Sequence, residues 1–269
     1  MKRSPYVAGQ FYSASENSLK QEIGHLFANA AKVKKQEVKA VVSPHAGYMY
    51  SGQVAADVFS LINVPDTIII IGPNHTGLGP AFSVFKQGLW HTPLGDVEID
   101  EELAALIMKK CPLLQEDIKA HAYEHSVEVQ IPFMQYLRQD FKIVPMVLSR
   151  YNLPAYRELG KAIASAIKEL KRNALIVASS DMTHHEERIH AEKKDKIAIE
   201  EILKLNEEML VEKVENLDIS MCGYIPTAVT IVAAKELGAK QAVLAKYLTS
   251  GDVTGDYDSV VGYAGLIIK

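Results

Sequence analysis

The sequence predicts an α/β fold, and three observations predict it. Short apolar runs rich in β-branched residues alternate along the chain with longer stretches of helical period. Several runs read as continuous Ile, Val and Leu, as expected of central strands covered on both faces. Finally, 269 residues, 48% of them hydrophobic, suffice for a large core. No repeat, low-complexity tract or Pro/Gly-rich linker divides the chain, so residues 1–269 read as a single domain.

In chain order, the spacing predicts a helix over 19–31 and a strand over 38–43, where Ser43-Pro44 stops an apolar run because proline cannot donate a ladder hydrogen bond. A helix over 53–61 and the strand 67–71 follow. The helix 100–110 has Asp100 as N-cap, acids in its first turn and lysines in its last. After a helix over 127–138 comes the strand 142–148, in which Pro145 favours an edge or a bulge. Tyr156, Leu159, Ile163, Ala166, Ile167 and Leu170 recur at steps of three and four, which makes 156–170 a helix with one buried stripe. The strand 174–179, helices over 187–205 and 227–237, and strands over 241–248 and 259–268 complete the reading.

The formal net charge of −4 comes from 29 basic and 33 acidic residues spread along the chain, so no basic footprint points to nucleic acid. The N-terminal MKRSPYVAGQFYSASENS lacks an apolar segment long enough for a secretory signal, and the longest apolar runs are strand-sized. These features favour a cytoplasmic protein without a membrane partner. Two cysteines, Cys111 and Cys222, are too few for a disulfide framework.

Chemistry gathers where strands end. SPHAGYMYSG follows Val42, GPNHTGLG follows Ile71, and SSDMTHH follows Ala178. In open α/β sheets, ligands bind outside the carboxyl ends of strands, which would bring together His45, His75 and the Asp181, His184, His185 cluster. MCGYIPTAV puts Cys222 just ahead of an apolar helix, where amide dipoles favour a thiolate. Each residue also has a plain reading: a histidine tied down by local hydrogen bonds, a small buried thiol, or, for Asp181, a helix cap. The repeated placement weighs toward a metal or catalytic site. In YEHSVEVQIPF, His125 either starts a helix or supports the site from behind its ligands.

Sharper motifs fail. GPNHTGLG has Leu78 and Gly79 where a phosphate-binding loop needs Lys and Ser/Thr. In HHEERIH, His185 and His190 are five apart, not the four of a zincin helix. There is no G-x-S-x-G and no C-x-x-C. His25, His91, His121 and His190 read as structural or solvated.

Taken in order, RSPYVAGQFYSAS, SPHAGYMYSG, GPNHTGLG, EHSVEVQIPF, SSDMTHH and CGYIPTAV closely resemble the Memo family, also called AmmeMemoRadiSam system protein B, over nearly the whole chain. That family is similar in fold to the class III extradiol ring-cleaving dioxygenases, which use non-haem iron. The resemblance implies a three-layer αβα sandwich around a mixed, largely parallel sheet. By motif it implies that His45, His75 and Cys222 occupy metal-site positions and that Asp181 and His184 line the same pocket, while His185 is not carried over. A ring-cleaving iron site uses a carboxylate where Cys222 stands; thiolate is softer and favours copper(I), zinc or a more covalent iron site. The implied cofactor is iron or copper, with zinc as a third choice.

Three functions are compatible with the resemblance. The first is a metal-dependent oxidoreductase in which His184, oriented by Asp181, moves a proton. The second is a binding or adaptor module for phosphotyrosine-type peptides, with Tyr48 and Tyr50 flanking the ligand. The third is a component of a modification pathway, because the family name reflects genes beside a radical SAM protein and an AMMECR-type protein, which would be its partners. In each case a small molecule or a peptide would occupy the pocket.

Overall fold

A computed structural model describes residues 1–30 and 34–269. The chain opens with β1 (Lys2–Arg3) and α1 (Glu16–Asn29), whose first turn is capped by the Ser15 side chain. Next come β2 (Ala40–Ser43), α2 (Tyr48–Ser60) and β3 (Thr67–Pro73). Three short strands, β4 (Phe82–Val84), β5 (Leu89–Thr92) and β6 (Gly95–Ile99), lead to α3 (Glu101–Lys110), which Asp100 caps through Leu103 N–H as the sequence predicts. Then follow β7 (Gln115–Glu116), α4 (Lys119–Ala122), a 3₁₀ turn over Glu128–Gln130, α5 (Ile131–Leu137), β8 (Lys142–Leu148) and α6 (Leu153–Glu169). The rest comprises β9 (Ala174–Ser179), β10 (His184–Glu186), α7 (Arg188–Leu203), α8 (Glu207–Asn216), α9 (Tyr224–Glu236), β11 (Ala242–Thr249), α10 (Gly251–Thr254) and β12 (Val260–Ile268).

All six strands read from the sequence are present, but the element starts differ. The predicted helix 53–61 begins at Tyr48, because the chain turns into α2 directly after Gly47. The predicted helix 19–31 begins at Glu16, and its residue 31 lies outside the described residues. The helix predicted over 127–138 is divided into the 3₁₀ turn and α5. The short strands β4, β5 and β6 and the helix α8 were not predicted.

The twelve described strands form one mixed sheet, ordered β1-β5-β6-β8-β3-β9-β2-β12-β10, with β11 paired to β12 and β4 paired to β8 and β7. Its centre, β8-β3-β9-β2, is parallel. Alternate side chains of these strands enter opposite layers, which gives the three-layer sandwich. Ile69, Ile71, Val144 and Met146 pack with residues of α3, α6, α7, α8 and α9. Ile68, Ile70, Ile143 and Val147 pack with residues of α1, α2 and α5.

Pro145 lies in an interior strand, not at an edge or a bulge. On one side β8 pairs with β3 without interruption, Pro145 standing opposite Ile70. On its other side the partner changes: β6 pairs up to Ile143 and β4 from Met146 onward. The missing N–H of Pro145 falls in that handover, where no ladder partner requires it.

The adjacent parallel strands β3, β9 and β2 end at one rim. Their next residues are Asn74-His75, the 180–184 segment and Pro44-His45, so three distant parts of the sequence meet across the width of three strands.

Candidate metal centre

His45 forms the floor, only 2% exposed. Its protonation pattern follows from Ser179, the last residue of the neighbouring strand. The Ser179 hydroxyl donates its single proton to Ser126 O at 2.6 Å. Its oxygen must therefore accept, from Gln130 Nε2 at 2.8 Å and from His45 Nδ1–H at 2.9 Å. That leaves the His45 Nε2 lone pair facing away from Ser179, toward Cys222 Sγ at 3.2 Å. Burial, and then the neighbouring His125 and His75, hold this ring well below its ordinary pKa, so it is neutral and ready to act as a ligand.

His75 is tied the same way by a carboxylate. Glu124, 1% exposed, accepts from His75 Nδ1 at 2.9 Å and from His75 N–H at 2.6 Å, as well as from Ser126 N–H at 2.8 Å. Burial alone would raise the Glu124 pKa, but the His75 and Ser126 bonds and the histidine charges hold it at about 2. A carboxylate that fixes one ring nitrogen and presents the other is the usual support of a metal-bound histidine. Gly72 makes this approach feasible, because a Cβ there would stand 2.2 Å from Ser126 Oγ.

His125 completes a triangle. His45, His75 and His125 each offer one ligand atom, and these atoms all lie within 4.8 Å of one another. Its ring stacks on His75 at 4.7 Å and meets Phe11 edge-on at 5.0 Å. Burial lowers its pKa. Its Nδ1 is 3.5 Å from Glu124 Oε1, too long for a strong hydrogen bond. The sequence reading gave His125 a supporting role and put Cys222 in the ligand set; in space His125 stands with the ring nitrogens, and Cys222 joins through His45, with Sγ 3.2 Å from Nε2.

Cys222 precedes α9, whose start is pressed against the end of β9. A Cβ at Gly223 would meet Ser179 O at 2.3 Å. The amide dipoles do not leave the free thiol ionised: burial, and then the Asp181 charge, push its pKa well above the ordinary value. Asp181 caps no helix, since α7 begins at Arg188. Its carboxylate instead accepts from His45 N–H at 2.8 Å and from Ala46 N–H, and its other oxygen lies 4.0 Å from His45 Nε2. Burial raises the Asp181 pKa to about 6 against those bonds.

His184 is half-buried and is oriented by Ser220, not by Asp181. Its N–H donates to Ser220 Oγ at 2.7 Å, and its Nδ1 donates to Ser220 O at 2.9 Å, which leaves Nε2 free. His185 is exposed at the β10–β12 register shift, with φ 57°, and does not join the histidine group. Tyr48 is no wall of the pocket. It is 2% exposed, its ring packs on Tyr12 and Phe133, and its hydroxyl donates to Val129 O. Tyr50 is half-buried in the first turn of α2. His121 is buried against Phe85 and Trp90, not solvated.

The residues that sequence reasoning missed are Ser179, Ser126 and Gln130, which set the His45 proton, and Phe11, which packs on His125. A serine at a strand end, a serine in a loop and a glutamine in a 3₁₀ turn give no distinctive signal. The pairing of Glu124 with His75 was readable only as a carboxylate beside a histidine in EHS.

A cleft of about 630 Å³ lies at the opposite rim, around Thr67, Lys142 and Asn173. Most of its charges are paired: Lys142 with Glu98, Arg172 with Asp100, and Asp66 and Asp140 with the neighbouring Arg138. Volume alone does not make it the site, and the convergent lone pairs are at the histidines.

The sequence profile of the Memo-like protein family matches residues 3–267. A MEMO1 family protein of Methanopyrus kandleri is 45% identical, covering 100% of this chain and 99% of its own length. One from Pyrobaculum aerophilum is 46% identical, with 98% of each chain covered, and one from Aquifex aeolicus is 44% identical with the same coverage. Among solved structures, an uncharacterized protein of Escherichia coli K12 superposes with a TM-score of 0.59 at 15% identity, over 86% of this chain and 100% of its own, which supports the fold alone.

Proposed function

Because the chain belongs to the Memo-like family and three of its histidines converge, we propose that it binds iron or copper at the β2, β3 and β9 rim and serves redox chemistry there. The observation that carries this reading is the locked pair of imidazoles. With Nδ1–H of His45 held by Ser179 and Nδ1–H of His75 held by Glu124, both rings turn Nε2 away from their anchors, the His45 lone pair toward the Cys222 thiol at 3.2 Å. Imidazole suits iron, copper and zinc alike, and the nearby thiol tilts the set toward the softer of these.

When bound, such an ion would supply one-electron chemistry or activation of an oxygen species. The protein's own part is binding and proton handling. His45 is buried while His75 is exposed, so a substrate would approach from the His75 side. His184, fixed by Ser220, presents Nε2 as a proton carrier. Asp181 lies against the His45 ring, and in the metal-free site burial raises its carboxyl above the ordinary value.

Metal analysis of anaerobically purified protein tests the reading, with His45→Ala and His75→Ala as comparisons. The wild type should hold one equivalent and each variant should lose it. Unchanged content in His45→Ala would refute the assignment.

A further inference from the structure

The rim opposite the histidines carries a second cleft, of about 350 Å³, beside the one around Thr67 and Lys142. The turn over residues 171–173 lines both and is the wall between them. Val64 from the α2–β3 loop, Ile167 from α6 and Leu237 at the end of α9 supply an apolar lining. Lys39 ahead of β2, Lys168 in the last turn of α6 and Lys171 just beyond it bring three ammonium groups.

The two clefts differ in how their charges are used. In the first, Lys142 and Arg172 are paired with carboxylates. In the second, Lys39, Lys168 and Lys171 are exposed, and none has an acidic partner among the described residues. Glu37 is the one carboxylate among the described residues that lines it. Three ammonium groups against one carboxylate leave two positive charges in excess, in a chain whose net charge is −4. Concave walls of low dielectric focus such an excess, so the cleft attracts anions.

Lys171 shows that the backbone does not dictate this charge. It stands in the left-handed region, with φ 51°, directly after α6. There its N–H donates to Lys168 O at 3.2 Å and the Arg172 N–H to Ile167 O at 3.1 Å, the helix ending at which glycine is favoured. A lysine carries a steric cost at that position and adds an ammonium group to the wall of the cleft. Cations also complement the dipole at a helix C-terminus, but that role does not account for Lys39, which precedes a strand.

We propose that this cleft binds a small ligand bearing two linked phosphate groups, held by Lys39, Lys168 and Lys171, with Asn63 and Asn173 adding amide donors. A single phosphate carries roughly two charges near pH 7, too few to neutralise three ammonium groups. The volume is at the small end of the roughly 300–1,000 Å³ of small-molecule sites, which suits a diphosphate with a short apolar body. The site is separate from the histidines and does not depend on the metal-site reading.

The probe is pyrophosphate, titrated calorimetrically at low ionic strength into full-length wild type, Lys39→Gln, Lys171→Gly and His75→Ala. Wild type should bind one equivalent, more weakly as salt is raised, and at least about tenfold more tightly than inorganic phosphate. Lys39→Gln and Lys171→Gly should each weaken pyrophosphate at least about fivefold, and His75→Ala should leave it unchanged. Without pyrophosphate, Lys171→Gly should keep the thermal midpoint of the wild type, because its φ suits glycine. No saturable binding, or an affinity unchanged in both lysine variants, would overturn the proposal. So would loss of binding in His75→Ala, which would move the anion to the histidines. Pyrophosphate binding no tighter than phosphate would refute the two-phosphate ligand.

Discussion

Replacing Glu124 by glutamine should cost stability in a way that only pH reveals. The buried carboxylate accepts from His75 Nδ1, His75 N–H and Ser126 N–H, and its pKa falls from 4.5 to about 2. Because the folded value lies below the unfolded one, the ionised carboxylate stabilises the fold fully above pH about 4.5, and this is lost as pH falls through about 2. A difference of about 2.5 units corresponds to about 3 kcal/mol. Glutamine keeps the shape but turns an N–H₂ group toward donors, so Glu124→Gln should be about 3 kcal/mol less stable than wild type at pH 7. The gap should shrink by about 2 kcal/mol at pH 3. Urea titrations of metal-free protein at both values measure it. A gap that does not change with pH would refute the argument, since it would mean that packing and not charge is what glutamine disturbs. With the ion added at pH 7, the variant should bind about 10- to 100-fold more weakly, because the His75 ring is no longer oriented.

Other consequences follow from buried groups. His121 has its pKa lowered to about 3, first by burial and then by Arg3, so the folded state refuses a proton that the unfolded chain accepts below pH 6.5. Its contribution is therefore lost as pH falls from 6.5 toward 3, and His121→Phe should gain on wild type by up to about 1.4 kcal/mol per pH unit in that window. A pH-independent difference in denaturant midpoints would contradict this. Arg3 and Glu128 form a buried ion pair, with Glu128 also accepting from Tyr6 N–H, Val7 N–H and Tyr12 OH. Arg3→Met should cost about 3–5 kcal/mol, and adding Glu128→Gln should recover part of it; a double variant no better than the single would count against the pair. Gly223→Ala must push α9 away from Ser179, at about 1–3 kcal/mol by thermal or urea denaturation, whereas an unchanged midpoint would show that α9 gives way freely.

The parallel centre of the fold was legible because β3, β9 and β2 are buried on both faces and must be apolar throughout. Strands β4, β5 and β6 were not, since pieces of three to five residues carry too little periodicity to stand out. Pro145 misled for a definite reason: its effect depends on which neighbour needs its N–H, and the handover from β6 to β4 is invisible in the sequence of β8. Tyr48 misled because a tyrosine after a glycine-rich turn resembles a pocket wall until α2 is seen to begin there and bury it. At the site, histidines at strand ends were readable, but their roles were not. Whether a nitrogen is free depends on Ser179 and Glu124, which come from other strands and loops, and the orientation of His184 depends on Ser220.

The N-terminal segment shows why the six motifs belong together although only some carry ligand atoms. RSPYVAGQFYSAS holds no residue of the histidine group. Yet Arg3 donates to Glu124 O and pairs with Glu128, Tyr12 donates to Glu128, and Phe11 meets the His125 ring while its carbonyl accepts from Tyr48 N–H. Residues 3–12 thus clamp the 121–130 segment that supplies Glu124, His125 and Gln130. Through Glu124 and Gln130 the clamp reaches His75 and Ser179, and so His45. If positioning of the centre runs along this route, Phe11→Ala, which removes the ring that meets His125 edge-on, should weaken binding of a divalent ion about 10-fold in competition with a chelator. An unchanged affinity would make Phe11 a packing residue only.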